Sequence, residues 1–259
     1  MTPLAIAVTI ESLSAVITTK MYREGEMKIT VLLFAVLICC FQTAAYAAPP
    51  PAFVPEKGKT ALIVVDMQND FVRDGGILQT KAAKATLGAN KKLIDYFHAN
   101  KMPVIYTRLV DVNDNQRVRL MKVGRPDALK ANAIVPGFKR FYPDVQKELD
   151  SADVVDEIYP AKGDTVIDKD LFDAFQGTNL DITLKANGIR TVLVTGTVTQ
   201  ICVDSTGKGA FNNGYNAVLI SDAISTDASE PYVKELLTNF GRLWGRVMTS
   251  DQAIQELSR

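Results

Sequence analysis

Hydrophobic and polar positions alternate along this chain between short apolar runs and longer amphipathic ones. Residues 60–65 (TALIVV) form an unbroken apolar run, the pattern of a strand buried on both faces. Residues 84–100 carry Leu87, Leu93, Ile94 and Phe97 at helical spacing, which predicts a helix with one apolar side. Further strands are predicted over 103–110 (PVIYTRLV), 164–168, 191–195 (TVLVT), 217–221 (AVLIS) and 246–249. Helices are predicted over 171–187, 201–213 and 230–240, with one more at the C-terminus; Gly188 and Gly214 supply the stop signals of the first two. Residues 111–127 are polar and basic without apolar period, and read as a long loop. Strands alternating with helices predict an α/β fold, a parallel sheet covered on both faces. Ligands in such sheets sit at the carboxyl ends of the strands. The residues to inspect are therefore Asp66 after the first strand, Lys169 after the third, and the turn over 197–202.

The N-terminal region follows a different pattern. From Met27 the sequence reads MKITVLLFAVLICCFQTAAYAAPPPAF. Lys28 supplies a positive start, 29–40 is an apolar run too short to span a bilayer, and Ala45-Tyr46-Ala47 is a small-x-small cleavage site. This predicts a secretory signal peptide from Met27 to Ala47, with 1–26 a dispensable extension, 48–59 a proline-rich linker and 60–259 the working domain. The expected location is periplasmic or secreted, with no membrane contact after cleavage.

Composition narrows the chemistry. The chain is 47% hydrophobic, with 29 basic and 29 acidic residues, which is globular and gives no basic surplus for nucleic acid. It has a single histidine, so multi-histidine metal sites cannot be built, and its three cysteines cannot make a four-cysteine zinc site. Cys39 and Cys40 lie in the leader, so the mature chain keeps Cys202 alone and has no internal disulfide.

Three residues at strand ends can carry chemistry. Asp66 closes a buried strand, where a charge is costly unless paired or used; a turn or cap residue is the alternative. Cys202 falls in the first turn of a helix, where free N–H groups favour a thiolate and can hold an oxyanion, although free cysteine is often a small buried hydrophobe. Lys169 could stabilise that thiolate or be an ordinary surface lysine. Arg108, also near a strand end, could meet substrate or form an exposed ion pair. Arg117, Arg119, Lys122 and Arg125 could meet a substrate carboxylate or simply be solvated. Gly207-Lys208-Gly209 lacks the spacing of a phosphate loop and lies within a predicted helix.

The blocks ALIVVDMQNDF (61–71), GDTVIDKDLFDAFQGTNLDITLKANGIRTVLVTG (163–196) and GTVTQICVDSTGKGAFNNGYNAVLISDAIS (196–225) resemble the isochorismatase-like cysteine hydrolases, in that family's order and over about 60–250. The resemblance implies a three-layer αβα, Rossmann-like fold with a six-stranded parallel sheet. It also implies an Asp-Lys-Cys triad: Cys202 the nucleophile, Asp66 the base, Lys169 the stabiliser of the thiolate. A cis peptide at Thr197–Val198 would aim the Val198 N–H beside that of Cys202 as an oxyanion hole, and Phe71 would line the substrate pocket. The implied reaction is acyl transfer from a small amide or ureido compound through a thioester, with no cofactor.

Nicotinamidases of the family carry an Asp-x-His metal block; the corresponding YTRLVDVNDNQRVRLMKVGRPD has no histidine, so no bound zinc is expected. The tail NFGRLWGRVMTSDQAI resembles the ureidoacrylate and biuret amidohydrolase branches. The partner expected is a small-molecule substrate, with a homo-oligomer implied by the resemblance. Competing readings are vinyl-ether cleavage of the isochorismatase type, a non-catalytic binding protein of the same fold, and a redox-responsive protein built on Cys202.

Overall fold

The computed structural model describes residues 53–111 and 134–259. The predicted leader and most of the predicted basic loop lie outside them. The compact body begins at Phe53, whose carbonyl accepts from Arg246 Nη1 at 2.8 Å while its ring lies under the same guanidinium.

Six strands form one parallel sheet: β1 (Thr60–Val65), β2 (Val104–Leu109), β5 (Thr165–Lys169), β6 (Thr191–Thr197), β7 (Asn216–Ser225) and β8 (Gly245–Met248). Their spatial order is β5-β2-β1-β6-β7-β8. The chain starts at the centre, builds outward through β2 and β5, then returns to lay β6, β7 and β8 on the other side. That reversal between β1 and β6 is the point at which sheets of this kind bind ligands, at the carboxyl ends of the strands. The central strands β1 and β6 are buried throughout, around the apolar runs 61–65 and 192–194. The edge strand β5 alternates instead, with Ile167 and Lys169 inward and Val166 and Asp168 outward. Helix α2 (Leu87–Ala99) packs with α6 (Ser250–Leu257) in one layer. In the other, α4 (Asp204–Asn212) meets α5 (Glu230–Leu243), where Gly207 lies against Phe240 and Leu219.

Several boundaries differ from the sequence reading. The helix expected over 171–187 is regular only in α3 (Leu180–Ala186). Residues 170–179 form an irregular turn because their N–H groups find other acceptors: Ala174 N–H donates to Thr206 Oγ1 and Phe175 N–H to the Asp173 carboxylate. Gly177, at φ 72°, also leaves the helical region. The helix expected from residue 84 begins with a 3₁₀ stretch, Lys81–Thr86. A short helix α1 (Asn69–Val72) and a hairpin of β3 (Lys139–Tyr142) with β4 (Lys147–Asp150) were not predicted. The hairpin strands are four residues each and mostly polar, too short for a clear period.

Candidate active site

Asp66 leaves β1 with φ 50°, a left-handed conformation uncommon outside glycine, and is fully buried. Its N–H donates to the Thr107 carbonyl at 3.1 Å. Both carboxylate oxygens are occupied: Thr107 Oγ1 donates to Oδ1 at 2.7 Å, and Lys169 Nζ to Oδ2 at 2.8 Å. Lys169 ends β5, with β2 lying between it and β1, so its long stem crosses beneath the site before the ammonium meets Asp66. The ammonium also donates to the Leu171 carbonyl at 3.2 Å.

Cys202 comes from the other side of β1. At Gly196 of β6, φ is 102° and a Cβ would overlap the Val65 backbone of β1, so only glycine fits. The Thr197–Val198 peptide is cis, and a π-helical turn, Thr199–Val203, then leads into α4. The Val198 carbonyl accepts from the N–H groups of Ile201 (3.0 Å) and Val203 (3.2 Å), a pattern that passes over the Cys202 N–H between them. The thiol is buried and within range of both charges.

Burial pushes the Cys202 thiol up to about 12; the Lys169 charge pulls the other way and the Asp66 charge adds to the rise. Burial by itself would lower the Lys169 ammonium, but the Asp66 carboxylate, with Cys202 beside it, outweighs burial and holds it above its ordinary value. Burial thus disfavours a standing thiolate at Cys202, which lies beside the buried Lys169–Asp66 ion pair. Such a pair is costly to bury, and exchanging it for packed apolar residues is often stabilising.

The other predicted residues are accounted for individually. Phe71 lies just beyond Asp66 in α1 and is buried. Arg108 is engaged on the surface, with Nε and Nη2 on Asp168 at 2.7 and 3.0 Å. Arg117, Arg119, Lys122 and Arg125 lie outside the described residues. The glycines of Gly207-Lys208-Gly209 are explained by packing, since each faces a neighbour that a Cβ would overlap. Thr107 and Gln68 were missed. Gln68 clamps the strand end by accepting from Leu109 N–H at 2.7 Å and donating to the Leu109 and Ala152 carbonyls. A threonine inside the apolar run of β2 was the available signal for the first.

Fold and cluster together define a parallel-sheet α/β protein with a buried thiol, ammonium and carboxylate gathered at its topological switch point. Residues 60–252 match the isochorismatase domain model. The ureidoacrylate amidohydrolase RutB of Agrobacterium fabrum is 32% identical, over 78% of this chain and 91% of that protein. Among solved structures, a cysteine hydrolase from Pseudomonas syringae pv. phaseolicola superposes with a TM-score of 0.69 at 25% identity, covering 82% of this chain and 98% of that one. N-carbamoylsarcosine amidase from Thermoplasma acidophilum gives 0.61 at 34% identity, covering 74% and 97%. The chain belongs to the isochorismatase family.

Proposed function

We propose that this chain is an amidohydrolase that cleaves a C–N bond of a small amide or ureido compound by way of a Cys202 thioester. One observation carries the reading: Asp66 and Lys169, both fully buried, are paired at 2.8 Å beside the only thiol of the described residues. The similarity to an amidohydrolase and an amidase that act on ureido-type compounds supports the same reading.

In this mechanism Asp66 takes the thiol proton as Sγ attacks the carbonyl carbon. The carbonyl π electrons move to oxygen, which is held by the N–H groups of Val198 and Cys202. Reforming the carbonyl breaks the C–N bond, and Asp66 returns its proton to the departing amine. Water then attacks the thioester and gives a proton to Asp66, and the sulfur leaves as thiolate before recovering that proton. Lys169 stays charged throughout and offsets negative charge on sulfur as it develops. A high resting thiol pKa is compatible with this order, because proton transfer accompanies attack and no standing thiolate is required. Phe71 belongs to the substrate pocket in this reading. Export through the Met27 leader and assembly into a homo-oligomer are parts of the same proposal.

The test is ammonia or amine release from a panel of small amides and ureido compounds, with Cys202→Ala run in parallel. Release that depends on Cys202 is expected. Release at the wild-type rate by Cys202→Ala would remove the nucleophile from the mechanism.

A further inference from the structure

Lys169 Nζ has two oxygen partners, and only one of them belongs to Asp66. The other, the Leu171 carbonyl, sits in the irregular turn 170–179, so the placement of that turn helps to fix the ammonium. The turn has no regular structure to hold it, and its anchors lie on α4. Ala174 N–H donates to Thr206 Oγ1 at 3.1 Å, and the same hydroxyl donates to the Phe172 carbonyl at 3.4 Å. One helical turn along, at Gly209, α4 presents bare backbone. Both carboxylate oxygens of Asp173 lie against it, where a Cβ would overlap them. Asp173 Oδ1 also accepts the Phe175 N–H at 2.9 Å. The carboxylate is thus tied to its own turn on one side and seated on α4 on the other. The π-helical turn that carries Cys202 runs directly into α4, so one continuous helical segment presents the thiol and clamps the turn that holds the ammonium.

We propose that Asp173 is a positioning residue for Lys169: seated on Gly209, it locks the 170–179 turn so that Leu171 and Asp66 together hold the ammonium beside Cys202. The inference deepens the amidohydrolase reading and takes its catalytic meaning from it. Gly209 is the other half of the device, since a Cβ there would displace the carboxylate from its seat. Asp173 is half-buried, and the Lys169 charge reaches it, so the two groups also sense one another electrostatically.

The test needs no substrate, which separates it from the test of the hydrolase reading. Cys202 in the full-length protein is alkylated with iodoacetamide from neutral to alkaline pH. The Cys202 peptide is followed by mass spectrometry, and each variant is melted alongside. Asp173→Ala and Gly209→Ala should each move the alkylation midpoint upward and slow the neutral-pH rate about tenfold, equivalent to one pKa unit of lost thiolate stabilisation. Asp173→Asn keeps the shape and the acceptor for Phe175 N–H, and should stay within about twofold of wild type by the same measure. Adding Gly209→Ala to Asp173→Ala should cost nothing further, because the space that the methyl needs is then empty. An unchanged profile in Asp173→Ala, or an equal cost of Gly209→Ala in both backgrounds, would overturn the proposal. Should Gly209→Ala fail to fold, Asp173→Ala against Asp173→Asn decides alone, and matching profiles would refute it. If turnover falls in these variants while the alkylation profiles do not move, the inference fails and the hydrolase reading stands.

Discussion

Asp66 and Asp70 come from one short block of sequence, and both are fully buried, yet they serve different ends. Each carboxylate is met by one cation and one hydroxyl. At Asp66 these are Lys169 and Thr107, and they divide the two oxygens between them. At Asp70 they are Arg140 and Tyr142, at 2.9 and 2.8 Å, and both fall on Oδ1, leaving Oδ2 without a hydrogen-bond partner among the described residues. The cation at Asp66 is wholly enclosed, whereas the Arg140 side chain keeps 18% of its exposure. A thiol stands beside Asp66, and the hairpin β3–β4 stands beside Asp70. A buried charge pair alone does not mark a reactive centre. What distinguishes the first is placement at the switch point, full enclosure, and a nucleophile within range.

The comparison can be broken at several points. The largest effect is expected on the Asp66 side. Asp66→Asn and Lys169→Met should each lower kcat by about a thousandfold or more, on the scale of losing general-base or charge stabilisation. Asp66→Asn should also slow Cys202 alkylation, and wild-type alkylation kinetics would take Asp66 out of the base role. On the other side, Asp70→Asn should cost about 2 kcal/mol in denaturant unfolding while turnover by the folded fraction stays within a few-fold of wild type. A loss of kcat comparable to that of Asp66→Asn would erase the distinction between the two aspartates.

Thr107→Val removes one of the two groups that orient Asp66 and should lower kcat about tenfold, for about 1 kcal/mol of stability. A pH dependence follows from the thiol itself. The folded-state pKa of Cys202 lies above its reference of 9.0, raised to about 12, so the stability that this group contributes is present in full below pH 9 and fades as pH climbs towards 12. Cys202→Ala should therefore flatten the alkaline limb of a stability profile in that window; an identical limb in the variant would contradict the burial argument. The smallest effect is expected at Arg108, whose ion pair with Asp168 is partly exposed. Arg108→Ala should change stability by less than about 1 kcal/mol and leave kcat alone.

What could be read from the sequence depended on how local its cause was. The buried strands were readable because β1 and β6 bury both faces, which leaves the apolar runs 61–65 and 192–194 at their centres. Asp66 stood out as the charge that ends such a run. Cys202 and Lys169 stood out by their place after strands and by family likeness; neither periodicity nor composition joined them to Asp66. The interrupted helix over 171–187 was only partly readable: Gly177 was a local signal, but Thr206, which accepts the Ala174 N–H, is distant in sequence and adjacent only in the fold. The same holds for Thr107, an unremarkable strand threonine until β1 lies beside it, and for Arg140 and Tyr142, whose short hairpin has too few residues to show a period.

The most direct test of the account is to catch the acyl group on sulfur. The protein is mixed with a substrate identified in the ammonia-release panel, acid-quenched during turnover, and examined by intact-mass and peptide mass spectrometry. The account predicts an adduct with the mass of the acyl portion on the Cys202 peptide, absent from Cys202→Ala and accumulating as a burst when thioester hydrolysis is the slower step. Steady turnover with no adduct on Cys202, together with undiminished release by Cys202→Ala, would contradict it.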